Sequence, residues 1–210
     1  MLPSKKSNMI SYYFNLFGVV MFAMSGALAA LDKNLYKDLF GISFTAFATA
    51  IGGGTLRDII LDAHPIAWVS DNNYIIAIAA GIVIMVVFRK QLVKIPKILL
   101  VFDSMGIAIY TIMGMEKALA LNVAPLAAVL MGLFTAVMGG VIRDTLINEI
   151  PQIFRKEIYA TACIAGAFVY LLLKYTWLPD IWSAVISIVT IITVRLLAVK
   201  FRWSLPKLKI

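Results

Sequence analysis

Long apolar stretches alternate with short polar segments along almost the whole chain. A helix needs roughly 20 mostly apolar residues to cross a bilayer, and seven stretches approach that length. They are Ser11–Leu31, Phe40–Leu61, Tyr74–Phe88, Ile98–Ala118, Ala124–Ile147, Ile158–Leu173 and Ile181–Val199. The pattern predicts an all-α membrane protein with seven transmembrane helices and no attached soluble domain.

The composition supports this membrane assignment. Hydrophobic residues make up 62% of the chain and charged residues only 14%, whereas about a quarter of a soluble domain is charged. The net charge is +8, but the basic residues fall between the apolar stretches rather than on one polar face. We therefore interpret them as topology signals and contacts to anionic lipid head groups, not as a nucleic-acid surface.

Basic residues are divided unevenly between the two sides of the predicted bundle. The side that holds the N-terminus has four, which are Lys5, Lys6, Lys117 and Lys174. The other side has twelve, which are Lys33, Lys37, Arg89, Lys90, Lys94, Lys97, Arg155, Lys156, Lys200, Arg202, Lys207 and Lys209. Because basic loops stay in the cytoplasm, we expect the N-terminus outside and the C-terminus inside.

One short motif occurs twice. GGGTLRD ends at Asp58 and MGGVIRD ends at Asp144, 86 residues later. Upstream, NLFGVVMFAMSGALAA (Asn15–Ala30) aligns with DSMGIAIYTIMGMEKA (Asp103–Ala118). These paired blocks indicate that the chain contains two related halves of three spans each.

The proposed halves cover residues 11–89 and 98–174, and a seventh span at 181–199 completes a single transmembrane domain, 1–210. A unit of three spans inserts its second copy upside down. Inverted repeats of this kind are typical of transporters and channels.

Glycines lie in the middle of spans two and five, within the repeated motif. They are Gly52, Gly53 and Gly54 in span two, and Gly139 and Gly140 in span five. Glycine costs about 1 kcal/mol relative to alanine in a helix interior, so we expect both helices to break or bend. Backbone groups freed at that depth need protein or a water-filled cavity, which predicts a wet path between the halves. The alternative is that the glycines only allow close helix packing.

Charged residues follow each glycine set, inside the predicted spans. They are Arg57, Asp58, Arg143 and Asp144. Burying each costs roughly 2.5–3.5 kcal/mol, and such residues usually face a pathway, so we expect them to line or gate one. The alternative is that they only anchor helix ends near the head groups.

The charges need partners. Neighbouring residues of a helix point about 100° apart, so the arginine and the aspartate of each pair are not expected to face each other. We expect partners on helices of the same half, on freed carbonyls and in water. Asp103, at the start of span four, is one candidate, and its counterpart in the first half is the neutral Asn15.

Enzymatic chemistry has no support in the sequence. No set of Ser, His and Asp indicates nucleophilic catalysis, and GGGTLRD lacks the Gly-Lys-Ser/Thr that follows in a P-loop. The single histidine, His64, lacks the partners of a metal site. We expect neither an enzyme nor a resident cofactor, and the sequence places no metal site.

With GGG-x-x-RD in span two and GG-x-x-RD in span five, the chain resembles the trimeric intracellular cation channel family. Bacterial and archaeal members have also been catalogued as proposed glycine transporters. The resemblance extends from about Tyr12 to Val199. It implies a homotrimer in which each protomer has its own pore, permeable to potassium and also to sodium, between the two three-helix bundles.

Carried onto this chain, the resemblance implies that the five motif glycines are helix kinks and that Arg57, Asp58, Arg143 and Asp144 line or gate the path. Animal members carry a lysine-containing second motif linked to phosphoinositide lipid. This chain has GGVIRD there, so the resemblance is to a prokaryotic member in an inner membrane. The family's cation sites on the three-fold axis cannot be placed on this sequence.

Two functions remain open at this point. A passive cation channel needs a continuous wet path with weak binding sites. A secondary transporter of a small solute such as glycine uses similar inverted repeats with broken helices, but needs a closed cavity that binds a carboxylate and an ammonium group. Two arginines near the path do not obviously suit a cation. A structural scaffold would not require repeated charges within the membrane.

Overall fold

The computed structural model describes residues 5–32, 38–95, 97–155 and 158–204, with side chains from residue 11 onward. Within those ranges the chain forms helices α1 (Lys5–Asp32), α2 (Leu39–Ile60), α3 (Ala67–Ser70), α4 (Asn72–Leu92), α5 (Ile98–Ala120), α6 (Pro125–Leu146), α7 (Ala160–Lys174) and α8 (Asp180–Phe201), and a 3₁₀ turn at Gln152–Phe154. The architecture is all-helical, as the hydrophobic pattern predicts.

Six of the eight described helices have the length and composition of membrane spans, and the exceptions are the four-residue α3 and the apolar helix α7. Span six, predicted at Ile158–Leu173, is a helix of only 15 residues. At 1.5 Å per residue it is about 22 Å long, shorter than the roughly 30 Å apolar core of a bilayer. Tyr159, immediately before the helix, is buried, so protein surrounds the non-helical backbone there.

Helices α1 and α5 form the centre of the bundle. In the most apolar segment of each helix, 67% of the residues of α1 and 72% of those of α5 are buried, compared with 22% for α4. These two helices contain the aligned blocks Asn15–Ala30 and Asp103–Ala118. The most similar parts of the two halves therefore make the core of the molecule, where packing restricts sequence most.

Carboxylates cap the first turns of α2 and α4. Asp38 accepts a 2.8 Å hydrogen bond from the Gly41 amide, and Asp71 accepts one of 2.9 Å from the Asn73 amide. Such caps satisfy amides that have no partner inside the helix. The Tyr12 hydroxyl also donates to Asp71, at 2.6 Å. These hydrogen bonds, with that from Tyr12 first, lower the pKa of the Asp71 carboxyl.

Helices α2 and α6 cross at two motif glycines. A Cβ atom on Gly53 would collide with the Thr135 carbonyl, and one on Gly139 would lie 2.7 Å from the Thr49 carbonyl. The contacts are reciprocal in the repeat, since Thr49 and Thr135, like Gly53 and Gly139, are 86 positions apart. Only glycine permits so close a crossing.

The expected break in these helices is wrong. Both α2 and α6 are helical without interruption through their glycines. The reason is that packing across the glycines compensates for their poor intrinsic helix propensity. The alternative of close packing therefore accounts for Gly53 and Gly139, while a bend that preserves the helix stays a prediction.

Two aromatic rings meet where α1 contacts α5. Phe22 and Tyr110 hold aligned positions in the repeat, and their rings pack edge to face with centroids 4.9 Å apart. A Cβ atom on Gly18 would lie 2.9 Å from Tyr110, and one on Gly106 would lie 2.8 Å from Phe22. Each ring thus occupies the space that a glycine of the other half leaves open.

The structure describes only some of the basic residues on which the predicted orientation depends. Lys33, Lys37, Lys156, Lys207 and Lys209 lie outside the described residues, and Lys5 and Lys6 are described by backbone alone. The orientation in the membrane accordingly stays a prediction.

Candidate functional site: two buried ion-pair clusters

Both repeated Arg-Asp pairs lie in the last turn of their helices, and both helices end alike. The Asp58 carbonyl accepts a 2.8 Å hydrogen bond from the Ala63 amide, and the Asp144 carbonyl accepts one of 2.8 Å from Glu149. The preceding residues, Asp62 and Asn148, have φ angles of 51° and 54°. Short Asp and Asn side chains tolerate this left-handed conformation better than most residues.

The left-handed ends turn the chain back over the helix, and each aspartate side chain binds the returning loop. Asp58 accepts from the Ala67 amide at 3.2 Å, and Asp144 accepts from the Gln152 amide at 2.9 Å. A carboxylate bound to a backbone amide fixes that loop in place. The aspartate of each motif therefore closes its own end of the bundle.

The arginine and the aspartate of each motif contact each other directly, contrary to the expectation from helix geometry. Arg57 Nε and Nη2 lie 2.8 and 2.7 Å from Asp58 Oδ1. Arg143 Nε lies 2.8 Å from Asp144 Oδ1. The expectation was wrong because the long arginine side chain reaches around the helix and overcomes the angular offset of adjacent Cα atoms.

The first cluster, which we call the Arg57 cluster, consists of Arg57, Asp58 and Lys117. Lys117 Nζ of α5 donates to Asp58 Oδ1 at 2.7 Å. The side chains of Arg57 and Asp58 are 3% and 0% exposed, whereas that of Lys117 is 31% exposed. Two cations share one carboxylate here, so the cluster carries one excess positive charge.

The second cluster, which we call the Arg143 cluster, consists of Arg143, Asp144, Asp103 and Arg195. Arg143 Nη1 donates to Asp103 Oδ1 at 2.6 Å, so the predicted pairing with Asp103 is confirmed. Arg195 Nη2 of α8 lies 3.6 Å from Asp103 Oδ2. Two cations balance two carboxylates, and Arg143, Arg195 and Asp103 have no exposed side-chain surface.

Partners also come from the other half of the chain, which differs from the expectation of partners within one half. Arg143 Nη1 donates to Ser25 of α1 at 2.6 Å, and Lys117, which binds Asp58, belongs to α5. The reason is the central position of α1 and α5, each of which faces the helices of both halves. The clusters therefore join the two halves to each other and also link α5 to α6 within the second half.

The last glycine of each motif faces its own arginine. The nearest atoms to a Cβ on Gly54 include Arg57 Nη2 at 3.8 Å, and those to a Cβ on Gly140 include Arg143 Nη2 at 3.9 Å. Arg143 Nη2 is buried and has no hydrogen-bond partner in the described structure. Buried polar groups of this kind are usually satisfied by water. A Cβ atom at Gly54 would thus meet its neighbours at ordinary contact distance, whereas one at Gly140 would crowd the Tyr159 hydroxyl at 3.0 Å.

A small pocket opens beside the Arg57 cluster. It is lined by Gly54, Thr55 and Asp58 of α2, by Trp68 of α3, and by Tyr74 and Tyr110 of α4 and α5. Trp68 Nε1 donates to Thr55 Oγ1 at 3.0 Å and closes one wall. No group of three or more His, Cys, Asp or Glu residues suited to a metal gathers anywhere in the described ranges.

The two clusters lie at opposite ends of α5. Asp103 and Lys117 are 14 residues apart on that helix, or roughly 21 Å at 1.5 Å per residue. This separation is more than half of the roughly 30 Å apolar core. The clusters are therefore well separated along the bundle, and their placement on either side of the membrane midplane stays a prediction.

Sequence reasoning missed two members of the clusters. Lys117 was counted only as a loop charge, although the repeat places it opposite the neutral Ala29. Arg195 lies inside the predicted span seven, and the sequence repeat offers no partner for it because that span is outside the repeat. The signal for Arg195 was present, since a charge inside an apolar span usually pairs within the bundle. Which helix supplies the partner depends on tertiary packing.

A bundle of apolar helices that buries paired charges at two depths defines a polytopic membrane protein built for transport or conduction. The match to a family model named Glycine transporter, over residues 12–90 and 100–175, agrees with this class. The chain is also 38% identical over 200 residues to the inner membrane protein YadS of Escherichia coli (strain K12), covering 94% of this chain and 96% of that protein.

Solved structures that are similar to this chain are cation channels. The TRIC trimeric intracellular cation channel orthologue from Rhodobacter sphaeroides is similar with a TM-score of 0.85 and 30% identity, over 92% of this chain and 99% of that chain. A second TRIC cation channel structure matches with a TM-score of 0.82 and 34% identity, over 94% and 97%. The chain belongs to the glycine-transporter family, whose solved prokaryotic relatives are TRIC channels.

Proposed function

We propose that this protein is a monovalent cation channel, permeable to potassium, with one path per protomer between its two halves. The observation that carries the proposal is the pair of buried clusters, one at each end of the crossing of α2 and α6, in a fold similar to TRIC channels. Intramembrane charges of this kind mark ion pathways. Arg57, Asp58, Asp103, Arg143 and Asp144 would line or gate the path.

The two halves, residues 11–89 and 98–174, are proposed to be inverted copies related by an axis in the membrane plane, with the seventh span at 181–199 outside the repeat. The reciprocal contacts of Gly53 with Thr135 and of Gly139 with Thr49 support this relation, because two-fold symmetry makes contacts reciprocal. The family model also matches two segments of similar length.

Opening of the path is proposed to involve bending of α2 at Gly52–Gly54 and of α6 at Gly139–Gly140. Glycine lowers the cost of departing from ideal helix geometry. Each glycine set precedes its Arg-Asp pair on the same helix. A modest bend there would therefore move the pair as a unit relative to its partner on α5, which is Lys117 for Asp58 and Asp103 for Arg143.

The excess charge of the Arg57 cluster bears on the choice of ion. One extra cation at that end opposes cation entry, so conduction requires that Lys117 leave Asp58. Because Lys117 is the most exposed member of the cluster, its departure costs least. Lys117 would thus act as a gate, while Asp58 would offer the passing ion a carboxylate.

The assembly is proposed to be a homotrimer in a prokaryotic inner membrane, with lipids around it, the N-terminus outside and the C-terminus in the cytoplasm. The exposed apolar surface of α4, which includes Ile76, Val83 and Val87, suits contact with lipid or a second copy. In this orientation the Arg57 cluster faces outside and the Arg143 cluster faces the cytoplasm.

A secondary transporter of glycine is the second candidate, and the name of the matching family model favours it. A zwitterion needs a cation for its carboxylate and a carboxylate for its ammonium group. Both clusters contain that combination. In the Arg143 cluster, however, each carboxylate already has an arginine partner, so a solute would have to displace an ion pair.

Single-channel recording of the purified protein in planar bilayers under a potassium gradient separates the two candidates. Unitary currents that reverse near the potassium equilibrium potential are expected. Folded protein that gives no currents, together with saturable uptake of labelled glycine into vesicles, would overturn the channel and establish the transporter. Bilayers and vesicles without protein serve as controls.

A further inference from the structure

The aligned residues Asn15 and Asp103 differ in charge. In the first half, Asn15 Nδ2 donates to the Tyr74 hydroxyl at 3.0 Å. In the second half, the aligned residue is Asp103, which adds a buried negative charge. Helix α8, which has no counterpart in the first half, supplies Arg195 against that charge at 3.6 Å.

Helix α8 also takes over a packing contact. In the first half, Gly81 of α4 faces α1, where a Cβ would lie 2.9 Å from Ala23. Gly166 of α7 follows Tyr159 by seven residues, as Gly81 follows Tyr74. Gly166 faces α8 instead, where a Cβ would lie 3.2 Å from the Ser187 carbonyl. The seventh span is therefore packed into the second half.

Arg195 joins α8 to the loop before α7. Its Nη2 donates to Gln152 Oε1 at 2.7 Å, and its Nη1 donates to the Ile158 carbonyl at 3.1 Å. The guanidinium also lies 4.4 Å from the centre of the Tyr159 ring. The planar fork of arginine can make these contacts simultaneously, whereas the single ammonium of lysine cannot.

Gln152 connects this loop to the motif aspartate as well. Its amide donates to Asp144 Oδ2 at 2.9 Å, while its side chain accepts from Arg195. Gln152 thus contacts α6 with its backbone and α8 with its side chain. A shift of α8 would therefore displace Gln152 and act on Asp144.

We propose that Arg195 is a positioning residue that fixes the inner end of the path to the seventh helix, so that the position of α8 controls the Arg143 cluster. The inference rests on the proposed function, because only that function makes the space between the two halves an ion path. Arg195 has two separable contributions, since it neutralises Asp103 and it also holds Gln152 and Ile158, which precede α7.

The single cysteine provides a test that needs no conduction. Cys163 is fully buried and lies in the first turn of α7, four residues after Tyr159. If Arg195 holds the loop, its loss loosens the start of α7 and exposes the thiol. The rate at which a small maleimide labels Cys163 in the purified, folded protein measures this opening.

Four variants separate the two contributions. Arg195→Gln is expected to lower Tm and to speed labelling about tenfold or more over wild type. Asp103→Asn alone keeps the loop contacts and should label slowly. The double variant Asp103→Asn/Arg195→Gln should regain most of the lost Tm, because no excess negative charge is left buried, but should still label fast. Lys200→Gln, an exposed change on α8, should match wild type.

A double variant that labels as slowly as Asp103→Asn alone would overturn the proposal and reduce Arg195 to a counter-charge. If Arg195→Gln fails to fold, the double variant alone decides, since its cluster keeps one arginine and one carboxylate. In bilayers, the double variant should show an altered open fraction, whereas Asp103→Asn alone should alter it less. If the wild-type protein conducts no ions, the proposed channel function is overturned, but the labelling result still tests the role of Arg195.

Discussion

Lys117 of α5 and Asp58 of α2 form a 2.7 Å ion pair that joins the two halves of the chain. The Arg143 cluster has no equivalent of this contact, because the residue aligned with Lys117 in the repeat is the neutral Ala29. The two ends of the proposed path are therefore chemically different, and the first prediction follows from that difference.

Replacing Lys117 with Gln is expected to raise the open fraction of the channel severalfold and to lower stability by no more than about 1 kcal/mol. Arg57 still pairs with Asp58 after the change, so the buried carboxylate keeps a cation. Single-channel recording and thermal unfolding in detergent measure the two effects. Lys174→Gln is the matched control, since Lys174 lies 3.8 Å from Asp180 in a partly exposed pair. Equal open fractions in the two variants would contradict the gate.

Replacing Gly53 with Ala is expected to destabilise the protein by about 1–3 kcal/mol or more. The added methyl group collides with the Thr135 carbonyl, and backbone cannot move aside as a side chain can. Gly54→Ala is the control one residue away, where the nearest atoms lie at 3.8 Å. There the gain in helix propensity should leave stability unchanged or raise it by up to about 1 kcal/mol. A similar fall in Tm for both variants would contradict this prediction, because it would mean that the stability depends on the bending of the helix and not on the close crossing at Gly53.

Removing the arginine from the Arg143 cluster is expected to cost more than removing it from the Arg57 cluster. Arg143→Gln leaves two buried carboxylates with Arg195 alone, and breaking such a buried pair costs about 3–5 kcal/mol. Arg57→Gln leaves Asp58 with Lys117, so its loss of stability should be smaller. Thermal unfolding of the two variants under identical conditions makes the comparison, and equal losses would contradict the difference in charge balance.

A double-mutant cycle should confirm the pair between Arg143 and Asp103. Asp103→Asn in the background of Arg143→Gln is expected to cost less than Asp103→Asn in wild type, because the partner is already absent. Free energies of unfolding for the four proteins give the coupling. A coupling near zero would mean that Ser25 and Asp144, which also bind Arg143, carry its stabilisation.

Removing the hydroxyl of Tyr110 is expected to cost about 0.5–1.5 kcal/mol. That hydroxyl donates to the Ala50 carbonyl at 2.8 Å, inside the bundle, and Tyr110→Phe leaves the carbonyl without this partner. Tyr13→Phe serves as the control, because Tyr13 is largely exposed. Thermal unfolding measures both, and an unchanged Tm for Tyr110→Phe would indicate that water replaces the bond.

Most of the fold could be predicted because bilayer length and hydrophobicity restrict spanning helices strongly. Span six was the exception, because its helix begins only at Ala160. Tyr159, just before the helix, is apolar and buried by the surrounding protein, and hydropathy alone does not distinguish such a residue from one inside a spanning helix. Glycine propensity predicted a break at Gly53, but propensity is a weak guide when tertiary packing opposes it. Asp103 could be found because the repeat compares it with Asn15, whereas Lys117 and Arg195 depend on which helices meet.

The contact between Phe22 and Tyr110 has a consequence for how the two halves diverged. In an assembly of two identical copies, a residue that meets its own counterpart cannot change without changing both sides of the contact. A single chain that carries both copies is free of this constraint, and here one ring has a hydroxyl and the other has none. That hydroxyl reaches Ala50 on one side only. The centre of the molecule, where exact symmetry would be strictest, thus already distinguishes one direction through the membrane from the other.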